Sequence, residues 1–440
     1  NAGSRVITEA RPVAYRGPMR EYYRRHNGGA VAVPTPTPTV VMESGWSYKF
    51  LLAFLMLLYA NTPFLLPQLE VLRPAKIVAV MALIALLSET VFGSRSFDFA
   101  MPEGIWLIVF MGAAALSCIT ALWPGFAFTA VNEMLKMALV FFFLVNCLTS
   151  EKKVRGVMWV MMIGGLFPAL GTLHNYKIQN LNEGRAAWVG IFANPNEVAY
   201  SLVVLLPLAA YLAYKSGWLA RVFLAGISLL FIAATFVTFS RGGLIGMVAV
   251  VEFFALRKKK IWLQIAIGVM VAGGAILAQH YWSRGQDFSS LNNDLSFQQR
   301  IITSQAGIRM LIDHPALGVG IACSVVAWPL YAPQGVYTRG ALITHNTFVQ
   351  VFGETGLLGG IPFLFFLGTG LRSLRRNTAG TAVNDLGMAI EAAIWGFVVC
   401  GMSGGYVVTW FPYILYGLAA AAGRIPGSLN FCAANNREAA

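Results

Sequence analysis

Long apolar runs alternate with short polar connections along most of this 440-residue chain. A helix that crosses the hydrocarbon core of a bilayer needs about 20 mostly apolar residues, and about twelve runs approach this length. We therefore predict an all-α membrane protein with about twelve transmembrane helices. The predicted spans are 46–66, 72–93, 101–122, 127–148, 154–174, 197–214, 217–238, 241–256, 261–281, 346–371, 384–402 and 405–423.

Composition and charge support this class. Hydrophobic residues make up 57% of the chain and charged residues 12%, against about 25% charged residues in a soluble domain. The net charge is +13, but the basic residues form short clusters between apolar runs, such as 257–260 and 372–376. Clusters in alternate connections indicate membrane orientation, so no nucleic-acid partner is expected. One missed or extra span would put these two clusters on opposite sides, so both ends of the chain are predicted to be cytoplasmic.

The chain divides into three regions. Residues 1–45 are polar and rich in arginine, and we predict a disordered basic cytoplasmic tail there. No cleavable signal peptide is expected, because the first apolar run begins well inside the chain and further spans follow. Residues 46–425 form the predicted transmembrane domain, and 426–440 form a second cytoplasmic tail.

The topology leaves two sizeable outer loops, 175–196 and 282–344. Long loops in compact proteins usually carry function. Apolar residues recur at helical spacing in the second loop, which predicts an amphipathic helix over 296–313 that lies on the outer surface. Arg300 falls at the edge of its apolar face, pointing toward the membrane. The apolar positions are Phe297, Ile301, Ile308 and Ile312.

Three residues are candidates for chemistry at the outer face. Arg241 opens a predicted span, and a guanidinium grips phosphate with two parallel hydrogen bonds. Arg300 lies in the long loop. His345 stands where that loop returns to the membrane, and its ordinary pKa near 6.5 suits a general base at neutral pH. The alternative for Arg241 is an arginine that snorkels to the lipid headgroups. The alternative for Arg300 is a solvated surface charge, and that for His345 is a helix cap.

Five further residues are candidates for supporting roles. Asn194 and Asn196 lie in FANPNEVAY, where an Asn cap and a proline begin a helix whose free N–H groups face the outer side. An ordinary cap explains the same pattern. Arg309, Asn346 and Glu354 complete the set, and for Glu354 the favoured alternative is a helix-end or interhelical hydrogen bond. The chain shows no P-loop, nucleotide fingerprint or metal-ligand spacing, so no metal or cofactor is expected.

Four stretches taken together resemble the O-antigen ligase and polymerase superfamily of bacterial membrane glycosyltransferases. The sequence differs from the family pattern at Ser304, because the family often has tryptophan four residues after the arginine that corresponds to Arg300. The resemblance lies in the order and spacing of the stretches and in the predicted topology. The stretches are FANPNEVAYSLVVLLPLA (192–209), TFSRGGLIG (238–246), QRIITSQAGIRMLIDHPALGVG (299–320) and THNTFVQVFGETGLLGGIPF (344–363).

The resemblance implies an activity and a location. Members transfer a glycan from a polyprenyl (undecaprenyl) pyrophosphate carrier to an acceptor hydroxyl, with inversion and without metal, at the periplasmic face of the inner membrane. The expected partners are a lipid-linked glycan donor and a lipid or glycan acceptor. Arg241 and Arg300 occupy the positions of the two arginines that hold the pyrophosphate, and His345 occupies that of the base.

Two alternatives remain open. A polymerase of O-antigen or exopolysaccharide uses the same donor, and Arg309 and Gly320 have the R-x10-G spacing of some polymerases. A small-anion transporter would use Arg241 and Arg300 as its binding site. Transporters normally show inverted repeats and broken helices, and the sequence indicates neither.

Overall fold

The computed structural model describes residues 45–61, 72–92, 96–182, 184–258, 295–333 and 342–425, together with the single residues 64, 68 and 265. The predicted tails, apart from residue 45, lie outside the described residues, and so does the predicted span 261–281 apart from residue 265. Within the described ranges the chain is helical, and the extended pairing is an isolated bridge between Asn182 and Arg185.

Apart from two helices in the predicted outer loop 282–344, the described helices overlap the predicted spans. They are α1 (Trp46–Tyr59), α2 (Pro74–Val91), α3 (Glu103–Leu116), α4 (Pro124–Cys147), α5 (Glu151–Lys177), α6 (Pro195–Val203), α7 (Leu206–Lys215), α8 (Trp218–Val237), α9 (Arg241–Lys258), α10 (Leu295–Asp313), α11 (Ser324–Tyr331), α12 (Thr347–Thr378), α13 (Asn384–Gly401) and α14 (Trp410–Ala422).

Six helical segments of the described chain are long and apolar enough to cross a membrane. They are α2, α4, α5, α6 continued by α7, α8 and α12. Helices α1, α3 and α14 are apolar but shorter. The multi-pass, all-α class is therefore supported, while the number of twelve spans stays a prediction. The predicted span 197–214 consists of two helices, because Pro207 lacks the N–H that a continuous helix needs there.

One end of the bundle collects the connections that were predicted to be cytoplasmic. The hydroxyl of Ser47, at the start of α1, donates to Glu89 near the end of α2 (2.7 Å). At the same end, Arg424 after α14 pairs with the buried carboxylate of Glu103 at the start of α3 (2.7 Å). These contacts join helix starts to helix ends, as an alternating up-and-down topology requires.

A second ion-pair cluster reinforces this end. The buried carboxylate of Glu391 accepts from Arg257 at the end of α9 (2.9 Å) and from Arg375 near the end of α12 (2.7 Å). A buried carboxylate needs such partners, because an unpaired charge in an apolar interior is costly. Both arginines belong to the basic clusters used to predict the orientation.

The opposite end collects the predicted outer connections. The side-chain amide of Asn61, just after α1, donates to the carbonyl of Val189 (2.6 Å). The backbone N–H of Leu122, between α3 and α4, donates to the carbonyl of Val319 (3.1 Å). Both large outer loops are thus fastened to the same end of the bundle.

Helix α12 is interrupted at Gly356, which has a φ of +61°. The segment that follows α10 docks against this break, and a Cβ at Gly356 would collide with Ala316. The N–H groups of Leu357 and Leu358 donate to the carbonyls of Pro315 (2.8 Å) and Ala316 (3.1 Å). Irregular backbone at membrane depth is tolerated when it is buried in protein like this. The expectation that the chain has no broken helix was wrong.

Glu354 fastens the same segment from the helix side. Its fully buried carboxylate accepts from the backbone N–H groups of Ala322 (2.8 Å) and Ser324 (3.3 Å). It also accepts from the side-chain amide of Gln350 (3.1 Å). The interhelical hydrogen-bonding interpretation of Glu354 is therefore the one that the structure supports.

The predicted loop helix is confirmed as α10, but a different face packs. Ile301, Ile308 and Ile312 are 44%, 49% and 68% exposed. The face that packs on α12 carries small residues, and a side chain at Gly307 would collide with Val349. Small residues let two helix backbones approach closely. The isoleucines are not covered by the described protein and suit contact with lipid.

Candidate functional site

The corner between α8 and α9 positions Arg241 at the end of the bundle that collects the predicted outer connections, hereafter the outer end. The Ser240 hydroxyl accepts from the N–H of Gly243 (3.3 Å), so it caps α9, and it donates to the side-chain carbonyl of Asn196 (2.9 Å). Added side chains at Gly242 or Gly243 would collide with Ser403 or with α6. The glycines therefore let α9 pack closely, and Arg241, the first residue of α9, is half-buried.

The predicted cap, Asn194, is confirmed, and Asn196 makes further contacts beside it. The Asn194 side chain accepts from the N–H of Asn196 (2.8 Å) at the start of α6. The Asn196 side-chain carbonyl then accepts from Ser240 and from the guanidinium of Arg185 (2.6 Å). Asn196 thus joins the loop that contains Arg185 to the corner between α8 and α9 at Ser240.

Arg185 lies beside these candidate residues and was not predicted from the sequence. Its Nε donates to the carbonyl of Thr238 (2.9 Å), and the N–H of Ala186 donates to Val237 (3.2 Å). The sequence held a signal for it. Basic residues are uncommon in the predicted outer connections, so a basic residue in the loop 175–196 is a candidate for function. Lys177 is the other basic residue of this loop, and it is exposed at the end of α5.

Helix α10 turns Arg300 toward the start of α12. Seven residues make nearly two helical turns, so Arg300 lies on the same face as Gly307, the face that packs. One turn along, the Thr303 hydroxyl donates to the carbonyl of Arg300 (3.2 Å) and accepts from the N–H of His345 (3.4 Å). Arg300 therefore faces the protein rather than the membrane, which corrects its predicted direction.

The half-buried imidazole of His345 carries a perturbed pKa. Burial lowers this pKa most, and the positive charges of Arg300 and Arg185 lower it further, to about 4. The imidazole is therefore neutral at neutral pH and can accept a proton. The same charges show that Arg300 and His345, predicted to share a site, lie within electrostatic range of each other.

The connection between α13 and α14 packs against the start of α12. The Thr347 hydroxyl donates to the carbonyl of Gly404 (2.7 Å) and accepts from the N–H of Tyr406 (3.0 Å). The ring centroids of Tyr406 and of Tyr200 on α6 lie 3.9 Å apart. The charges of Arg185 and Arg300 also act on the Tyr406 hydroxyl.

The remaining candidates have other positions. Asn346 caps α12, since its side chain accepts from the N–H groups of Phe348 (3.0 Å) and Val349 (3.2 Å). Arg309 lies nine residues from Arg300, on the opposite side of α10, where it is exposed beside Asp313 and Tyr331. Arg241 is connected to the cluster through Ser240 and Asn196.

Residues 226–364 match the family model of the O-antigen ligase. This part of the chain is therefore similar to the O-antigen ligase domain. The matched range contains Arg241, Arg300 and His345, whereas Arg185, Asn194 and Asn196 precede it. The match supports membership of the O-antigen ligase and polymerase superfamily, a glycosyltransferase-type activity and lipid-linked glycan substrates. No curated protein matched the chain.

Proposed function

We propose that this O-antigen ligase-type protein transfers a glycan from polyprenyl pyrophosphate to an acceptor hydroxyl. One observation carries the proposal. Guanidinium charges act on a half-buried, neutral imidazole, that of His345, inside an O-antigen ligase domain. A neutral base beside fixed cations suits a reaction that takes a proton from one substrate and releases a diphosphate from the other.

In the proposed reaction His345 accepts the proton of the acceptor hydroxyl. The hydroxyl oxygen attacks the anomeric carbon of the glycan on the face opposite to the pyrophosphate. The bond from the anomeric carbon to the pyrophosphate oxygen breaks, and its electron pair leaves with the polyprenyl pyrophosphate, so the configuration inverts. Arg241 and Arg300 bind the pyrophosphate and offset the charge that develops on it.

The arrangement of charges in the bundle supports a periplasmic site. The candidate site lies at the end opposite to the Glu391 and Arg424 ion pairs, and the basic clusters there are predicted to be cytoplasmic. A carrier lipid would place its prenyl tail against the apolar helices and its pyrophosphate at their outer end. We therefore assign the protein to the bacterial inner membrane, with a lipid or a second glycan as acceptor.

The second candidate function is a polymerase of O-antigen or exopolysaccharide. It needs the same donor and the same groups, and differs only in an acceptor that is itself carrier-linked glycan. Arg309 favours this reading, because it is exposed on α10 and lies eleven positions before Gly320 in the R-x10-G spacing. A small-anion transporter gains some support from the break in α12, but it gives no role to a half-buried neutral histidine.

The deciding experiment uses the purified protein in liposomes with a lipid-linked glycan and either a lipid or a second lipid-linked glycan. We expect transfer by the wild type and its loss in His345→Ala. His314→Ala is the matched control, because His314 is an exposed histidine at the same end, and it should retain full activity. The acceptor that is consumed separates ligase from polymerase.

Two outcomes count against the proposal. Full transfer by His345→Ala would remove the base from the mechanism. Saturable uptake of inorganic pyrophosphate into the liposomes, with no transfer to any acceptor, would favour the transporter.

A further inference from the structure

Arg185 is fixed at the outer end by contacts on two sides. Its Nε donates to the carbonyl of Thr238, and its Nη2 donates to Asn196. The backbone around it is held as well, since Arg185 pairs with Asn182 in an isolated bridge and Ala186 bonds to Val237. A guanidinium held in this way loses little further freedom when an anion binds.

The position of this fixed charge is unusual. The charges of Arg185 and Arg300 both act on His345, and both act on the Tyr406 hydroxyl, on which the carboxylate of Glu197 acts too. Arg300 comes from α10, and Arg185 comes from the loop before α6. The two positive charges disfavour the protonated form of the imidazole, and an anion bound beside them would offset that effect.

We propose that Arg185 is a third cation of the diphosphate site, held by Thr238 and Asn196 so that its charge acts on both the leaving group and His345. This inference rests on the proposed function and adds to it a residue outside the matched domain. Together with Arg241 and Arg300, it places positive charge around a diphosphate from three separate chain segments.

The arrangement links donor binding to the strength of the base. The two guanidinium groups disfavour the protonated imidazole. A bound diphosphate offsets these charges and raises the pKa of His345 from about 4 toward its ordinary value. His345 is thus a stronger base when the donor is present, which favours deprotonation of the acceptor only beside a loaded donor.

Calorimetric titration of the full-length protein with inorganic pyrophosphate tests the binding role without any turnover. Arg185→Gln should raise the dissociation constant at least about tenfold, the equivalent of about 1.4 kcal/mol. Arg185→Lys keeps the charge and should lie between Arg185→Gln and the wild type. Lys177→Gln is the matched control, because it removes an exposed positive charge from the same loop, and it should bind as the wild type does.

A second readout reports on His345 directly. Diethyl pyrocarbonate modifies neutral imidazole, so the pH midpoint of His345 modification, followed by mass spectrometry, gives its pKa. We expect a midpoint near 4 in the wild type and a higher one in Arg185→Gln. A residue that merely held the loop together would not move this midpoint while the protein stays folded.

The outcomes separate this inference from the proposed function. Unchanged pyrophosphate affinity and an unchanged midpoint in Arg185→Gln, with weakened binding in Arg241→Gln and Arg300→Gln, would overturn the role of Arg185 alone. Wild-type affinity in all three variants, together with no transfer by the wild type, would overturn the proposed function. If Arg185→Gln does not fold, a wild-type midpoint near 6.5 still contradicts the inference.

Discussion

At the scale of single residues, the main feature is a histidine whose surroundings keep it neutral. His345 and Arg300 were both singled out in the sequence, but their effect on each other depends on how α10 docks on α12. Burial and two neighbouring cations act in the same direction on the imidazole. The residue is therefore ready to accept a proton well below the pH at which an ordinary histidine would be.

This electrostatic setting predicts the pH dependence of transfer. The pH dependence of kcat/KM, measured at donor concentrations well below KM, reports the pKa values of the free protein. The acid limb of this pH profile should therefore have its midpoint near pH 4 rather than 6.5. Arg300→Gln removes a positive charge that disfavours imidazolium, so the limb should move to higher pH. Initial rates between pH 3.5 and about 8 give both values. An acid limb at 6.5 in the wild type would contradict the assignment.

The same pKa shift predicts how stability depends on pH. Between pH 6.5 and about 4 the unfolded chain takes up a proton at His345 and the folded protein does not. The unfolded state then binds more protons, so the free energy of unfolding decreases as pH falls through this interval. His345→Asn should lose this part of the dependence, and thermal unfolding in detergent at a series of pH values measures the difference.

Arg241 carries a separate prediction about geometry. A lysine keeps the charge but cannot make two parallel hydrogen bonds to one phosphate. Losing one charge-assisted bond of about 1.5–3 kcal/mol corresponds to a loss of roughly tenfold to a hundredfold in kcat/KM for Arg241→Lys. Comparison of donor titrations for the two proteins measures it, and wild-type kinetics in the variant would argue against a pyrophosphate clamp.

At the scale of elements, the outer segment after α10 is held by a helix that breaks to receive it. The periodicity of residues 296–313 correctly predicted the helix α10, but not which face would pack. Small residues around Gly307 pack on α12, and the isoleucines stay exposed. In a bilayer an apolar side chain gains little by leaving lipid for protein, so close backbone approach decides the packing face.

The break in α12 gives a prediction with a control on the same helix. Gly356→Ala adds a Cβ at a φ of +61°, where it also collides with Ala316, so the docked segment must move. We expect a lower unfolding temperature and reduced transfer. Gly368→Ala adds a Cβ in open space and should leave both unchanged. Equal thermal melts and equal rates for the two variants would mean that the break does not position the site.

At the scale of the whole molecule, the charged residues divide between two ends with different roles. One end holds ion pairs around Glu391 and Glu103, whose partners are basic residues at helix ends. The other end holds Arg185, Arg241, Arg300 and His345. The first cluster neutralises its buried carboxylates, and the second brings three guanidinium groups to the end that holds the candidate site, as binding of an anionic substrate requires.

The proposed orientation can be tested without any assay of activity. Single cysteines can be introduced into a protein whose native cysteines are replaced. Position 180 is exposed at the candidate-site end and position 217 is exposed at the other end, so Asn180→Cys and Gly217→Cys report on the two sides. A membrane-impermeant maleimide added to spheroplasts should label Asn180→Cys directly. It should label Gly217→Cys only after the membrane is opened. The reverse pattern would place the candidate site on the cytoplasmic side.

The sequence by itself determined the class of this protein and most helix positions in the described chain, and it singled out three candidate residues whose roles stay predictions. These follow from local properties, because apolar length, basic clusters and proline or glycine positions act along a few turns of chain. Only the tertiary structure decided that Arg185 joins the cluster, that α12 breaks at Gly356 and that the small-residue face of α10 packs. Each of these depends on contacts between segments far apart in the chain, and on which backbones approach closely enough to exclude side chains.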